Sequence, residues 1–449
     1  MEKYTYPSMT QIKTNIQSDE PKVTRLFSHL EKDGNQLKHH PGSVFGSAAL
    51  LAGNTVGAGI LALPAVTLPS GIVPSTALLF AVWLYVLISG LLIAEVTLNR
   101  MRVEGRPNLG FLSIVEGTLG TFTGRLAGGA FLFFHYSLLV AYIARGGDIL
   151  LGGASHLLGM DGALPTWVGA IMFTSLFGSI LYLARDRFVE KLNSIFVVIV
   201  VFSFLGLVFL EGTQIHPVRF LFQDWRALPG AVSVMLVAMF FHSVVPVIVS
   251  QLEGDIQKIR KSIVIGSSIP LVMFLVWNAV ILGSISPQIV ENISSGETVF
   301  DPLQFLYTHG AQNILGVLIP VFSEFAIVTS FIGFFFGLRD FFQDMNLFEI
   351  NQPVPRLPVI SLVMFPPMSL SLINPNIFFG ALDYAGSFSI SILGGILPAL
   401  MSWKQRETDR DSNNDHQILA PGGKITLVLT IAIALVIIVR QILLMSPQF

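Results

Sequence analysis

Gly53-Asn54-Thr55-Val56-Gly57-Ala58-Gly59-Ile60-Leu61-Ala62-Leu63-Pro64 interrupts an apolar segment where an unbroken helix is expected. Each glycine costs a helix roughly 1 kcal/mol relative to alanine, and Pro64 removes a backbone donor, so the stretch predicts local unwinding. Unwound backbone exposes N–H and C=O groups, which hydrocarbon tolerates only where protein or a wet cavity surrounds them. The competing reading is close helix packing through Gly53-x-x-x-Gly57. The stretch alone leaves both open.

The surrounding composition fixes the class. The chain has 449 residues, 52% hydrophobic and 12% charged, with a mean hydropathy of +0.70. That balance belongs to an integral membrane protein. There is no cysteine, which excludes disulfides, thiol chemistry and cysteine metal sites, and the net charge of -2 gives no sign of a nucleic-acid partner. Residues 1–42 mix Lys3, Lys13, Lys22, Arg25, Lys32 and Lys38 with acids such as Glu2, Asp19, Glu20, Glu31 and Asp33. This reads as a solvated, mobile cytoplasmic tail of the mature protein, lacking the apolar core of a signal peptide and too acidic for a transit peptide.

A spanning helix needs about 20 mostly apolar residues, which yields about eleven candidates. They lie near 44–69, 72–98, 126–151, 164–184, 190–212, 228–250, 262–284, 312–338, 355–373, 376–401 and 423–445. Basic residues set the orientation. Arg100, Arg102 and Arg106, then Arg185 and Arg187, then Lys258, Arg260 and Lys261, then Arg339 and Arg356, then Lys404, Arg406 and Arg410 all fall on the side of the basic tail. The opposite side holds only Arg219 and Arg226. The amino terminus is therefore expected in the cytoplasm and, with an odd number of spans, the carboxyl terminus outside.

The sixth span carries a second interruption, Ala238-Met239-Phe240-Phe241-His242-Ser243-Val244-Val245-Pro246, with proline well before the helix ends. Spans one and six are five apart, so they hold corresponding places in two halves that run in opposite directions across the bilayer. Paired broken helices at such places point to a binding site near the membrane midplane. The pairing favours unwinding of the first span over simple glycine packing.

At these residues the chain resembles the aromatic amino acid (tryptophan/tyrosine) permease family of the amino acid, polyamine and organocation superfamily. The resemblance rests on Gly53 to Pro64, on Tyr136-Ser137-Leu138-Leu139-Val140-Ala141-Tyr142-Ile143 in span three and on Phe241-His242-Ser243-Val244-Val245-Pro246 in span six. It continues through Gly254-Asp255-Ile256-Gln257-Lys258-Ile259-Arg260-Lys261-Ser262-Ile263 and Gly266-Ser267-Ser268-Ile269-Pro270-Leu271, and covers roughly residues 42–445. It implies an all-α protein with eleven spans and the five-plus-five inverted repeat of the leucine transporter fold. The first repeat then occupies about 43–212, the second about 228–401, and an extra helix about 423–445, within a permease domain of 43–446. It also implies ion-coupled uptake of tyrosine or tryptophan across an inner or plasma membrane.

An amino acid zwitterion needs partners of both signs, and two half-helices supply them without charged side chains: free amides hold the carboxylate, free carbonyls the ammonium. Gly57, Ala58 and Gly59 are the carboxylate candidates, and Phe240, Phe241, His242 and Ser243 the span-six candidates, with the aromatics as pocket wall. Phenylalanine is common here, 36 residues in all, so packing competes with that role. His242 needs a polar partner at membrane depth and suits either substrate binding or proton carriage, with support of the broken backbone as the competing role.

The coupling ion is expected to be a proton, following the resemblance, or sodium. Ala326-x-x-Thr329-Ser330 in span eight resembles the sodium-ligand pattern of the leucine transporter fold, where first-span carbonyls, here near Gly53 and Val56, complete an oxygen cage. Hydroxyls of such residues also satisfy their own helix carbonyls. Among ionisable groups inside spans, Arg145 is expected to meet Asp383 or Glu324 as an outer gate, or Asp148 as a structural pair one turn away. Glu253 and Asp255 are candidates for a cytoplasmic gate, and Glu95 for accepting amides of a broken helix. No nucleophile elbow, Walker loop or His-Glu-x-x-His motif supports an enzyme, no repeated filter or charged ring supports a channel, and nothing implies a cofactor or sets an oligomeric state.

Overall fold

The computed structural model describes residues 30–33, 36–39, 42–57, 59–105, 109–159, 164–285, 300–310, 314–344, 356–374, 376–412 and 418–446. Within the expected tail, β1 (Leu30–Asp33) and β2 (Gln36–His39) pair as an antiparallel hairpin, with Leu30 opposite His39. Residues 1–29 lie outside the described residues.

The remaining elements are helical. The first broken span is α1 (Val44–Thr55) and α2 (Gly59–Thr67), followed by α3 (Ile72–Glu104), α4 (Phe111–Leu119), α5 (Thr121–Leu158), α6 (Trp167–Leu183) and α7 (Asp186–Gly212). The second broken span is α8 (Val232–Ala238) and α9 (Val245–Gln251), followed by α10 (Ile256–Ser284), α11 (Pro302–Gly310), α12 (Leu315–Asp344) and α13 (Arg356–Ile373). The chain closes with α14 (Phe378–Tyr384), which runs through two wide-turn stretches into α15 (Leu397–Ser412), and then α16 (Gly423–Met445).

Among the described residues, eight helices are long and apolar enough to cross a membrane, and the bent pair α1–α2 makes a ninth if it is one span. Two shorter apolar helices, Trp167–Leu183 and Leu357–Ile373, occupy the segments expected near 164–184 and 355–373. The exterior fits a lipid solvent. The most apolar windows of α7 and α16 are only 22% buried, and α7 turns Val198, Val201, Phe202 and Leu205 outward. An all-round apolar helix with an open outer face is stable in hydrocarbon and costly in water.

Inside, α1 packs along α10, α5 along α6, and α12 between α5 and α7. Large rings fill the seams: Trp277 of α10 meets Phe322 of α12 at 5.2 Å and Phe204 of α7 at 5.7 Å. In span ten the backbone widens to i→i+5 turns over Ala385–Ile390 and Ile392–Ile396. Wide turns of this kind cluster at functional sites. Here they press Gly386 against the Ser233 backbone of α8, where a methyl group would overlap the carbonyl.

Candidate functional site

The first break falls at Val56 and Gly57, between α1 and α2, with a bend of 59°. Val56 donates the last α1 bond to Ala52, and Ile60 restarts the helix by donating to Gly57. Among the described residues, no hydrogen bond reaches the carbonyls of Gly53 or Val56. The glycine-packing alternative does not hold: nothing lies within 4 Å of where a Gly53 side chain would start. The other glycines make close approaches instead. A methyl group on Gly57 would stand 2.5 Å from Ser330 Oγ of α12, and one on Gly59 would stand 2.7 Å from the Ala238 backbone of α8. Ala58 lies outside the described residues.

Pro64 does not make the break. It sits inside α2, where it deprives the Ile60 carbonyl of its helical donor, and the Trp277 indole N–H supplies the bond at 3.0 Å. The second break spans Met239 to Phe241, and Pro246 stands in the first turn of α9, where a missing N–H costs nothing. Phe241, His242 and Ser243 donate their backbone N–H groups to no described acceptor.

Both breaks border one cavity of about 700 Å³. Gly57, Gly59, Phe240, His242 and Ser243 line it, as do Gly53, Val56, Thr329 and Ser330. The residues expected for substrate and for ion thus share one space. His242 is 1% exposed, stacked between Phe240 at 4.8 Å and Phe241 at 5.1 Å, and neither ring nitrogen has a partner among the described residues. Phe241 itself is not on the lining. Its ring is fully buried over Gly90 of α3, where only glycine leaves room for it, so it packs helices together instead of forming a pocket wall. Ala326 is likewise off the lining; its carbonyl accepts from Thr329 at 3.1 Å and Ser330 at 2.9 Å. Ser330 also hydrogen-bonds the Tyr142 hydroxyl.

Sequence reasoning missed the far wall. Phe131, Phe134, His135 and Tyr142 of α5 line the same cavity together with Gly333, Phe334 and Gly337 of α12. Their edge-to-face contacts, such as Phe134 to Phe240 at 5.0 Å and Tyr142 to Phe334 at 5.7 Å, form an aromatic box. The signal was present as the spacing of Phe131, Phe134, His135, Leu138 and Tyr142 on one helix face. No Asp, Glu, Lys or Arg is among the described residues bordering the cavity.

The charged candidates sit elsewhere. Arg145 pairs with Asp301 rather than Asp383 or Glu324, and Asp301 also caps α11 by accepting from Leu303 at 3.0 Å. Asp383 is instead held by the Gln441 amide at 2.7 Å, which removes it from Arg145. Glu324 lies in the middle of α12, off the cavity, and neither carboxylate oxygen has a partner among the described residues. Asp148 is one turn beyond Arg145, within the same cation's field. Glu253 takes a left-handed turn at φ 54° and Asp255 caps α10 from its Gln257 and Lys258 amides, so both shape the α9–α10 corner. Glu95 is fully buried and accepts from Arg406 at 2.6 and 2.9 Å and from the Leu419 and Ala420 amides at 2.8 and 3.2 Å. Those amides precede α16 and belong to neither broken helix, which corrects the expected role.

Residues 40–441 match the tryptophan/tyrosine permease family. Tyrosine-specific transport system 2 of Haemophilus influenzae is 30% identical over 88% of this chain and 94% of its own length. The tryptophan-specific transport protein of the same organism is 30% identical over 81% of this chain and 88% of its own length. Glutamine transporter 2 of Aliivibrio fischeri is more distant, 24% identical over 89% of this chain and 99% of its own length. The match runs from just before the first broken span to within the last helix, and the chain belongs to the tryptophan/tyrosine permease family.

Proposed function

We propose that this integral membrane permease imports tyrosine or tryptophan by alternating access, driven by an ion gradient. The observation that carries the reading is one cavity of about 700 Å³ bordered by both broken spans and walled by aromatic rings. That volume lies in the range of small-molecule sites, and helix breaks at a membrane-buried cavity are the usual place for a transported solute. The names of the tyrosine- and tryptophan-specific relatives support an aromatic substrate. In this reading the chain crosses the membrane eleven times. Residues of about 43–212 and 228–401 form inverted halves in this reading, and the distribution of Arg and Lys supports an amino terminus in the cytoplasm and a carboxyl terminus outside.

The zwitterion lies between the breaks. Gly57 and Gly59 open the α2 start to its carboxylate, and the free carbonyls at the end of α1 face its ammonium. Protons are the first choice of coupling ion, with His242 as a carrier whose ring nitrogens are uncommitted. Sodium is the second reading, favoured by the unbonded Gly53 and Val56 carbonyls on the same cavity as the Thr329 and Ser330 hydroxyls. Arg145 and Asp301 join α5 to α11 as a closure on the side opposite the basic loops.

The test is radiolabelled tyrosine uptake into proteoliposomes with proton and sodium gradients imposed separately. Saturable uptake that follows the proton gradient and is inhibited by tryptophan is expected. Uptake following sodium alone selects the second reading, and linear flux far above transporter turnover overturns the symporter.

A further inference from the structure

His135 has no part in the reading above. It lies on α5 at the cavity border, 6% exposed. Its Nδ1 is 2.9 Å from the Phe131 carbonyl one turn back. A carbonyl can only accept, so Nδ1 carries the hydrogen, and in the neutral ring Nε2 is left as a lone-pair acceptor. Phe131 at 3.9 Å, Phe134 at 5.5 Å and Phe334 at 5.1 Å hold the imidazole plane in place. Tautomer and orientation are both fixed before any ligand arrives.

Nε2 packs against α12 at the cavity border. It faces Gly337 of α12, where a methyl group would come within 2.9 Å of it. One turn earlier, Gly333 borders the cavity with no atom within 4 Å of where its side chain would start. Gly337 lets the imidazole sit close to α12, and Gly333 leaves free space one turn away on the cavity side, beside an oriented acceptor in a mostly aromatic wall. No described residue hydrogen-bonds Nε2.

We propose that His135 Nε2 accepts the hydrogen bond of a ring-edge donor, a phenol O–H or an indole N–H, and so sets the preference for such rings over phenylalanine. The assignment rests on the aromatic-substrate reading. Carboxylate and ammonium are common to all these amino acids, so the broken helices cannot tell them apart. A ring of similar size without a donor leaves Nε2 unpaired in an apolar box and forfeits the bond, a penalty of about tenfold or more in apparent affinity.

The experiment is competition against radiolabelled tyrosine uptake by the full-length protein in proteoliposomes. Phenylalanine, O-methyltyrosine and 1-methyltryptophan are expected to compete about tenfold less well than tyrosine and tryptophan. In His135→Leu, the advantage of tyrosine over phenylalanine is expected to disappear. Equal competition by donor-lacking analogues in the wild-type protein overturns the assignment, and that arm stands even where the variant does not fold. An unchanged tyrosine-to-phenylalanine ratio in a transporting His135→Leu variant overturns it equally. If the wild-type protein takes up no aromatic amino acid, the underlying transport reading fails and this assignment falls with it; a lost ratio alone leaves that reading intact.

Discussion

Gly57→Ala tests whether the first break and α12 meet as described. The added methyl group would stand 2.5 Å from Ser330 Oγ, about 0.9 Å inside the 3.4 Å at which ordinary contact begins. Ser330 can yield only by turning its hydroxyl away, which breaks its 2.9 Å bond to the Ala326 carbonyl and its bond with Tyr142. Two hydrogen bonds at roughly 1 kcal/mol each amount to about 2 kcal/mol, or about a thirtyfold loss. Thermal unfolding of the purified protein should show that loss as a lowered midpoint, and uptake kinetics in proteoliposomes should show it as a reduced kcat/KM. Ser330→Ala removes the same hydroxyl, and it leaves the Ser330 Cβ at 3.6 Å from the new methyl, an ordinary contact. The double variant should therefore transport like Ser330→Ala alone, with an interaction energy of about 2 kcal/mol. If the two losses multiply, or if Gly57→Ala keeps wild-type kinetics, the proposed contact is wrong.

Glu95→Ala should lower the thermal midpoint by several degrees, because it removes the fully buried carboxylate that accepts from four N–H donors and leaves Arg406 uncompensated, at about 3–5 kcal/mol. Trp277→Phe should cost about 1–2 kcal/mol in chemical denaturation by orphaning the Ile60 carbonyl, and Pro64→Ala, which returns a helical donor, should shrink that cost. The absence of cysteine makes topology directly measurable: Thr408→Cys should react with an impermeant maleimide only from the cytoplasmic side, and Ser446→Cys only from outside. Arginine and glutamate should fail to compete with tyrosine uptake at concentrations where tryptophan abolishes it.

The two breaks were legible because glycine and proline carry their backbone consequences with them. What replaced the lost bonds was not. Pro64 announces a carbonyl without a donor, yet the donor is an indole 217 residues away from Ile60, brought in by α10 packing. The same limit governed the charges. Arg145 required a carboxylate, and Asp383 and Glu324 were the choices inside spans, whereas the partner Asp301 lies at a helix cap just outside any apolar segment. Gly59 shows a milder form of the problem. The sequence offers its backbone amide, and its contact with Ala238 shows that it also lets α2 and α8 touch. An isolated histidine on an apolar helix, such as His135, resembles packing until its tautomer and the adjacent glycines are visible.

The cavity's electrostatics follow from its backbone. The half-helices α1 and α8 end at the breaks and turn carbonyl, negative ends toward them, while α2 and α9 begin there with amide, positive ends. Each break thus presents both signs within a few residues, through partial charges fixed by the fold. Formal charges among the described side chains stay away from the lining: Glu95 is held by Arg406 and Arg145 by Asp301. Such a site balances a zwitterion, whose own charges cancel. A third charge, as on arginine or glutamate, would enter an aromatic box with no counter-charge and lose its hydration there, which costs several kcal/mol even after relaxation. On the proposed reading, selection for neutral amino acids follows from the broken backbone together with the apolar wall, and the choice among neutral side chains falls to the residues that line the box.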